Sequence, residues 1–126
     1  MVVLKTSREL GIMKEACRIS AGALQTVGKA VEPGVTTAEL DRLAEKYIRS
    51  QGAVPNFKNY NGYPASICVS VNDEVVHGIP CKERILADGD IVSLDAGVIY
   101  KGYHADAART YGVGAISSEA AKLIEV

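Results

Sequence analysis

The chain has 126 residues, 48% of them hydrophobic, and a formal net charge of −1. That length allows one domain with a modest core. Interspersed acids and bases near balance give no electrostatic case for nucleic acid or a membrane surface, and no apolar run approaches the roughly 20 residues of a membrane span.

Three cysteines, Cys17, Cys68 and Cys81, are odd in number and far apart. They make no Cys-x-x-Cys pair, which speaks against a zinc ribbon or a disulfide framework. The first residues do not read as a basic-then-apolar signal. The expectation is a reducing, cytoplasmic setting.

In chain order, Thr6 and Glu9 form a capping box. Leu10, Met13, Cys17, Leu24, Val27 and Val31 then recur at helical spacing. This predicts an amphipathic helix from about Ser7 to Val31, ended by Pro33-Gly34, with the apolar stripe as a core face. Thr36 and Glu39 repeat the box, and Leu40, Leu43, Ala44, Tyr47 and Ile48 predict a second helix to about Ser50. Its charges, including Asp41, Arg42, Glu45, Lys46 and Arg49, read as a solvated face.

Pro55 to Pro64 is a polar loop carrying Phe57, Tyr60 and Tyr63. Two readings fit: an ordinary surface loop, or the wall of a pocket. Ala65 to Val71 alternates, with Ile67, Val69 and Val71 on one side and Ser66, Cys68 and Ser70 on the other. That predicts a half-buried strand with a small polar face suited to floor a cleft. Asn72-Asp73 turns the chain. His77 follows at a predicted strand end, open to a structural or a functional role. Cys81 to Ala87 is a polar link.

Ile91 to Ala96 and Tyr103 to Tyr111 are β-rich and predict an antiparallel hairpin. Folding it about Tyr100-Lys101 sets Asp95 directly opposite Asp106. Opposed residues have Cβ atoms roughly 5 Å apart on one face. Two carboxylates held so close repel, and divalent cations remove the conflict. The alternative is a pair of exposed strand acids. The flanking Leu94, Ala96, Ala105 and Ala107 favour the metal reading, because acids among small apolar residues are costly unless paired or metal-bound. Ser117 or Ser118 then caps a last helix from Glu119, with Ala120, Leu123 and Ile124 starting an apolar face. The pattern has no stop signal, so the sequence reads as cut inside a helix.

Two blocks together carry a resemblance. The first is Gly62-Tyr63-Pro64, Ser66-Ile67-Cys68, Ser70-Val71-Asn72 and His77-Gly78-Ile79-Pro80. The second is Asp88-Gly89-Asp90-Ile91-Val92, Asp95, Gly102-Tyr103-His104 and Asp106. In this order and spacing the chain resembles, over essentially its whole length, the N-terminal half of a type I methionine aminopeptidase of the pita-bread superfamily. Ala105 departs from the glycine usual in that family, Asn61 stands where many members carry His, and Phe57 replaces a small residue.

The resemblance implies an α+β fold: an antiparallel sheet with two amphipathic helices on one face, the first half of the pita-bread fold. It implies metal-dependent removal of the initiator methionine from new polypeptides. Asp95 and Asp106 match two metal ligands for two divalent ions of the Co, Mn, Fe, Zn or Ni type. His77 matches a catalytic, substrate-contacting histidine. Phe57, Tyr60, Tyr63 and Cys68 match the wall that receives the methionine side chain. The family's other ligands, one His and two Glu, have no counterpart here. The expectation is therefore a chain with weak or no metal binding and no activity by itself, whose partners are N-terminal Met peptides and either the missing half or a second copy. The alternative is a non-catalytic half-domain acting as a binding or assembly module.

Overall fold

A computed structural model describes all residues from Met1 to Val126. Three helices and four strands follow in the order α1 (Ser7–Gly28), α2 (Thr37–Ser50), β1 (Val54–Pro55), β2 (Ile67–Val71), β3 (Ile91–Tyr100), β4 (Tyr103–Gly112) and α3 (Ser118–Glu125). None of the helices is long and apolar enough to cross a membrane.

Both capping boxes form. Thr6 and Thr36 accept from the backbone N–H groups of Glu9 and Glu39, whose carboxylates return to the cap N–H groups. These reciprocal bonds satisfy donors that a helix start otherwise orphans. The first helix stops at Gly28, three residues before the predicted end. There Tyr111 packs so close to Gly28 that a Cβ would collide with its ring, and its hydroxyl donates to the Leu24 carbonyl at 3.1 Å.

Strand β3 is the spine of an antiparallel sheet. β4 lies along one edge, while β1 and β2 share the other. The hairpin turns at Lys101-Gly102, with φ of 48° and 82°. Positive φ at both central residues is the type I′ geometry whose twist suits a two-residue hairpin. The register follows from that turn: Tyr100 pairs with Tyr103, Asp95 with Ala108, and Gly97 with Asp106. The predicted direct opposition of Asp95 and Asp106 is therefore off by two residues. A two-residue slip keeps every side chain on its face, so the two acids remain on one face as diagonal neighbours.

The even-numbered residues of β3, Val92 to Val98, are buried beneath α1 and α2. Val92, Leu94 and Ala96 join Leu24, Val27, Leu40, Ala44, Ile67 and Val69 in the larger core, and Val98 joins Ala16, Ile19, Ile48 and Ala105 in the smaller. Ser20 donates from α1 to the Ala96 carbonyl at 2.8 Å, which ties the helix to the spine. β2 is buried on both sides rather than half-buried. Its free edge is covered by the loop that follows it: Val69 N–H donates to the Gly78 carbonyl at 2.9 Å, and Gly78 N–H donates to Ser70 Oγ at 3.0 Å. This loop stands where the sequence predicts a strand end at His77.

Candidate functional site

The face of the sheet away from α1 and α2 carries short polar residues in rows. Cys68, Asp95 and Ala108 are paired across three strands, as are Ser70, Ser93 and Thr110. Ser93 Oγ and Thr110 Oγ1 lie 2.8 Å apart. Small residues leave this face open, and loops from both ends of β2 wall it in.

One wall is the segment between β1 and β2. A 3-10 turn at Tyr60–Gly62 follows the left-handed Asn59, and Asn61 is left-handed as well. Phe57 packs over Gly97, where a Cβ would strike its ring, and meets Tyr63 edge to face at 6.4 Å. Gly97 thus lets the aromatic wall reach the strand that holds Asp95. Tyr63 donates its hydroxyl to the Ile67 carbonyl at 2.9 Å and the Gly78 carbonyl at 3.3 Å. Burial pushes its phenol well above the ordinary range, so Tyr63 is a fixed donor joining the two walls.

The second wall carries His77, exposed and at φ 58°. A left-handed histidine is uncommon and signals a backbone held by its surroundings. Gly78 supplies the hold, for its two bonds to β2 leave no room for a Cβ against the Val69 carbonyl.

These walls and the floor enclose a cavity of about 580 Å³ lined by Phe57, Tyr60, Tyr63, Cys68, His77, Asp95 and Asp106, with Asn61, Gly62, Pro64 and Ile79 between them. Every predicted site residue therefore reaches one space. A wider groove of about 820 Å³ shares Cys68, His77 and Asp95 and extends along Ser93 and Thr110 to Leu123 and Ile124 of α3.

Asp95 is the electrostatic centre. Its Oδ1 is buried with no hydrogen-bond partner. Burial, with the neighbouring Asp106 adding to it, pushes its carboxyl up to about 6, while His77 pulls the other way. An ionised, desolvated carboxylate beside a second one is an unsatisfied charge. A divalent cation fits this orphaned oxygen and the adjacent Asp106. No group of three His, Cys, Asp or Glu side chains is placed to hold a metal, so these two carboxylates are the donors offered here. Burial also raises the Cys68 thiol, with Asp95 and Asp106 contributing. Cys68 is thereby kept a neutral, polarizable surface.

Sequence reasoning missed a second set of residues. Asp41 and Glu45 of α2 are not a solvated face. Asp41 Oδ1 accepts from the backbone N–H groups of Ser66 at 2.7 Å and Ile67 at 3.0 Å. Glu45 accepts from Lys58 Nζ at 2.8 Å, Ser66 Oγ at 3.1 Å and Arg49. Lys58 chiefly holds the Glu45 carboxyl down at about 2. The signal was present: Asp41 and Glu45 stand four apart, each one residue after the buried Leu40 and Ala44, which turns them toward the sheet edge.

A pair of acids, one with an orphaned oxygen, at the floor of an aromatic-walled cavity is an arrangement that would suit a divalent metal. The chain belongs to metallopeptidase family M24, whose pattern matches residues 11–126. It is 54% identical over 126 residues to a methionine aminopeptidase of Clostridium acetobutylicum and 56% identical to methionine aminopeptidase 1 of Bacillus subtilis, in each case covering all of this chain and 50% of the relative. A solved methionine aminopeptidase from Thermotoga maritima superimposes with a TM-score of 0.96 at 42% identity, over 100% of this chain and 51% of that one. The fold is thus the pita-bread α+β type, and the chain spans about half the length of the curated relatives it matches.

Proposed function

We propose that this chain supplies one side of the active site of a methionine aminopeptidase, an enzyme that hydrolyses the first peptide bond after an N-terminal methionine. The observation that carries this reading is convergence: seven residues from three separate stretches line one cavity around an orphaned carboxylate oxygen. On the same reading, residues 1–126 correspond to the N-terminal half of the catalytic domain.

Each residue has a chemical role. Phe57, Tyr60, Tyr63 and Cys68 receive the unbranched thioether, for which aromatic rings and a neutral thiol are apt partners. His77, on the rim, hydrogen-bonds the substrate amide where charge develops, and its constrained backbone keeps it aimed. Asp95 and Asp106 hold divalent ions of the Co, Mn, Fe, Zn or Ni type. Such ions, when bound, lower the pKa of a shared water and polarise the peptide carbonyl. Both aspartates stand on paired strands, so their separation is set by the sheet rather than by flexible loops.

The partners in this reading are a peptide bearing N-terminal methionine and a segment that completes the ligand shell. Two carboxylates alone are a sparse site, because a divalent ion requires further donors. That donor count also favours the second reading, a non-catalytic binding or assembly module.

Hydrolysis of a Met-Ala peptide with Mn²⁺ or Co²⁺ separates the two. The chain alone is expected to show no turnover. Adding in trans the remaining half of the Bacillus subtilis relative is expected to restore it, and Asp106→Asn to abolish the gain. His77→Ala should lower kcat in the mixture by about 10²-fold. No gain in trans favours the binding module. Turnover by the chain alone that survives Asp106→Asn overturns the assignment of the site.

A further inference from the structure

We infer that Asp41 and Glu45 are positioning residues: from outside the cavity they set the aromatic wall by clamping both ends of the segment that carries it. The functional meaning of that wall rests on the methionine-pocket reading above, while the clamp itself is tested separately.

The segment from 56 to 66 cannot hold its own shape. It contains only a three-residue 3-10 turn, and Asn59 and Asn61 sit in the left-handed region. Its internal backbone bonds are Asn59 N–H to the Tyr63 carbonyl, Tyr60 N–H to that of Phe57, and Tyr63 N–H to that of Tyr60. These fix the local turn but not its place against the sheet. Phe57, Tyr60 and Tyr63 nevertheless line the same cavity as Asp95 and Asp106.

The sheet fixes that place in part, through Asn56 N–H to the Gly97 carbonyl at 2.9 Å and the Tyr63 hydroxyl to the Ile67 and Gly78 carbonyls, and α2 supplies the ties at the segment's two ends. Near the start of the segment, Lys58 reaches Glu45 at 2.8 Å. At its end, Ser66 and Ile67 donate to one oxygen of Asp41, and the Ser66 hydroxyl donates to Glu45. The three aromatic residues lie beside or between these ties. The helix is a firm base, with its cap complete and Leu40, Ala44 and Ile48 fully buried. Neither acid lines the cavity; their hydrogen bonds act on it through the segment, and the Asp41 charge also bears directly on Tyr63 and Cys68.

The chemistry of the two acids differs. Burial raises the Asp41 carboxyl, against the two backbone donors that lower it. What Ser66 and Ile67 require is an acceptor oxygen, not a charge, and an asparagine carbonyl can supply one. Glu45 faces the ammonium of Lys58 and the guanidinium of Arg49, so its charge matters. Asp41→Asn is therefore the conservative variant, and Asp41→Ala the disruptive one. Glu45→Gln should release Lys58 while keeping an acceptor for Ser66.

Amide hydrogen exchange on the purified chain reads the clamp directly. In Asp41→Ala, the amides of Asn59, Tyr60, Tyr63, Ser66 and Ile67 should exchange at least about tenfold faster, the scale of losing hydrogen bonds to a charged acceptor. Those within α1 and β3 should keep their rates, and Asp41→Asn should restore the segment. Glu45→Gln should speed exchange at Asn59 and Tyr60 more than at Ile67. Equal acceleration in α1, β3 and the segment would mean a merely structural acid and would overturn the proposal. So would an unchanged segment, or an Asn variant as damaged as Ala.

NMR titration with L-methioninamide reads the pocket. The wild-type chain should show shifts at Tyr60 and Tyr63, weakened about tenfold in Asp41→Ala and recovered in Asp41→Asn. No binding to the wild type, with the exchange pattern as expected, overturns the methionine reading and leaves the clamp standing.

Discussion

Asp95 concentrates the conflict in this molecule: a carboxylate with one buried oxygen, no partner and an acidic neighbour. Its effect on stability has a definite sign. The folded value, about 6, lies above the ordinary 3.8. In the metal-free chain the folded state therefore binds more protons than the unfolded state between those values, and stability falls as pH rises through that window. Asp41, also raised by burial, acts in the same direction. Glu45 acts oppositely at lower pH: its stabilisation is full above 4.5 and is lost as pH falls toward about 2. Urea denaturation across pH 4 to 7 should show the decline, and Asp95→Asn should flatten it. Mn²⁺ at pH 7 should raise the midpoint in the parent chain and not in Asp95→Asn. A flat profile in the parent chain, or equal stabilisation of both proteins by Mn²⁺, would contradict this account.

Among the elements, the hairpin of β3 and β4 decides whether the two acids meet. Its turn places Lys101 at φ 48°, where a side chain is disfavoured, and Gly102 at φ 82°. Lys101→Asn gives the pair best suited to a type I′ turn and should stabilise the chain by about 0.5–1 kcal/mol. Gly102→Ala should cost about 1–2 kcal/mol, because alanine resists positive φ. Chemical denaturation measures both, and a neutral Gly102→Ala would argue for another turn and another register. The loop of His77 depends on Gly78 in the same way. A methyl group there meets the Val69 carbonyl, so Gly78→Ala should lose about 1–3 kcal/mol, the scale of overpacking, and detach His77 from the cavity.

For the whole molecule, the open face of the sheet is the dominant surface feature. Its wide groove runs from Val75 and Val76, 88% and 65% exposed, to Leu123 of α3, 70% exposed. β4 adds a ten-residue strand with no neighbour beyond it. Unpaired edges and contiguous apolar surface favour association. Sedimentation velocity should show a second copy joining as concentration rises, and Leu123→Glu should shift the balance toward monomer. A monomer throughout, with ANS fluorescence no higher than buffer, would show that the face is adequately covered by the chain itself.

Local rules written in the sequence determined the helices, their caps, the hairpin and the sheet's polar face. Thr6–Glu9 and Thr36–Glu39 act within one turn, and alternation fixes which side of a strand each residue takes, so neither needs the rest of the chain. Parity alone put Asp95 and Asp106 on one face, which is why a register wrong by two residues still placed them together. Tertiary structure decided what depends on distant partners. The close packing of Tyr111 on Gly28 at the end of α1 joins residues from opposite ends of the chain. The burial of β2 on both sides needed the returning loop at Gly78. Asp41 and Glu45 looked solvated because their partners, Ser66, Ile67 and Lys58, lie 13 to 26 residues away in sequence. A helix acid reveals such a role only when the fold brings a loop's unpaired donors to it.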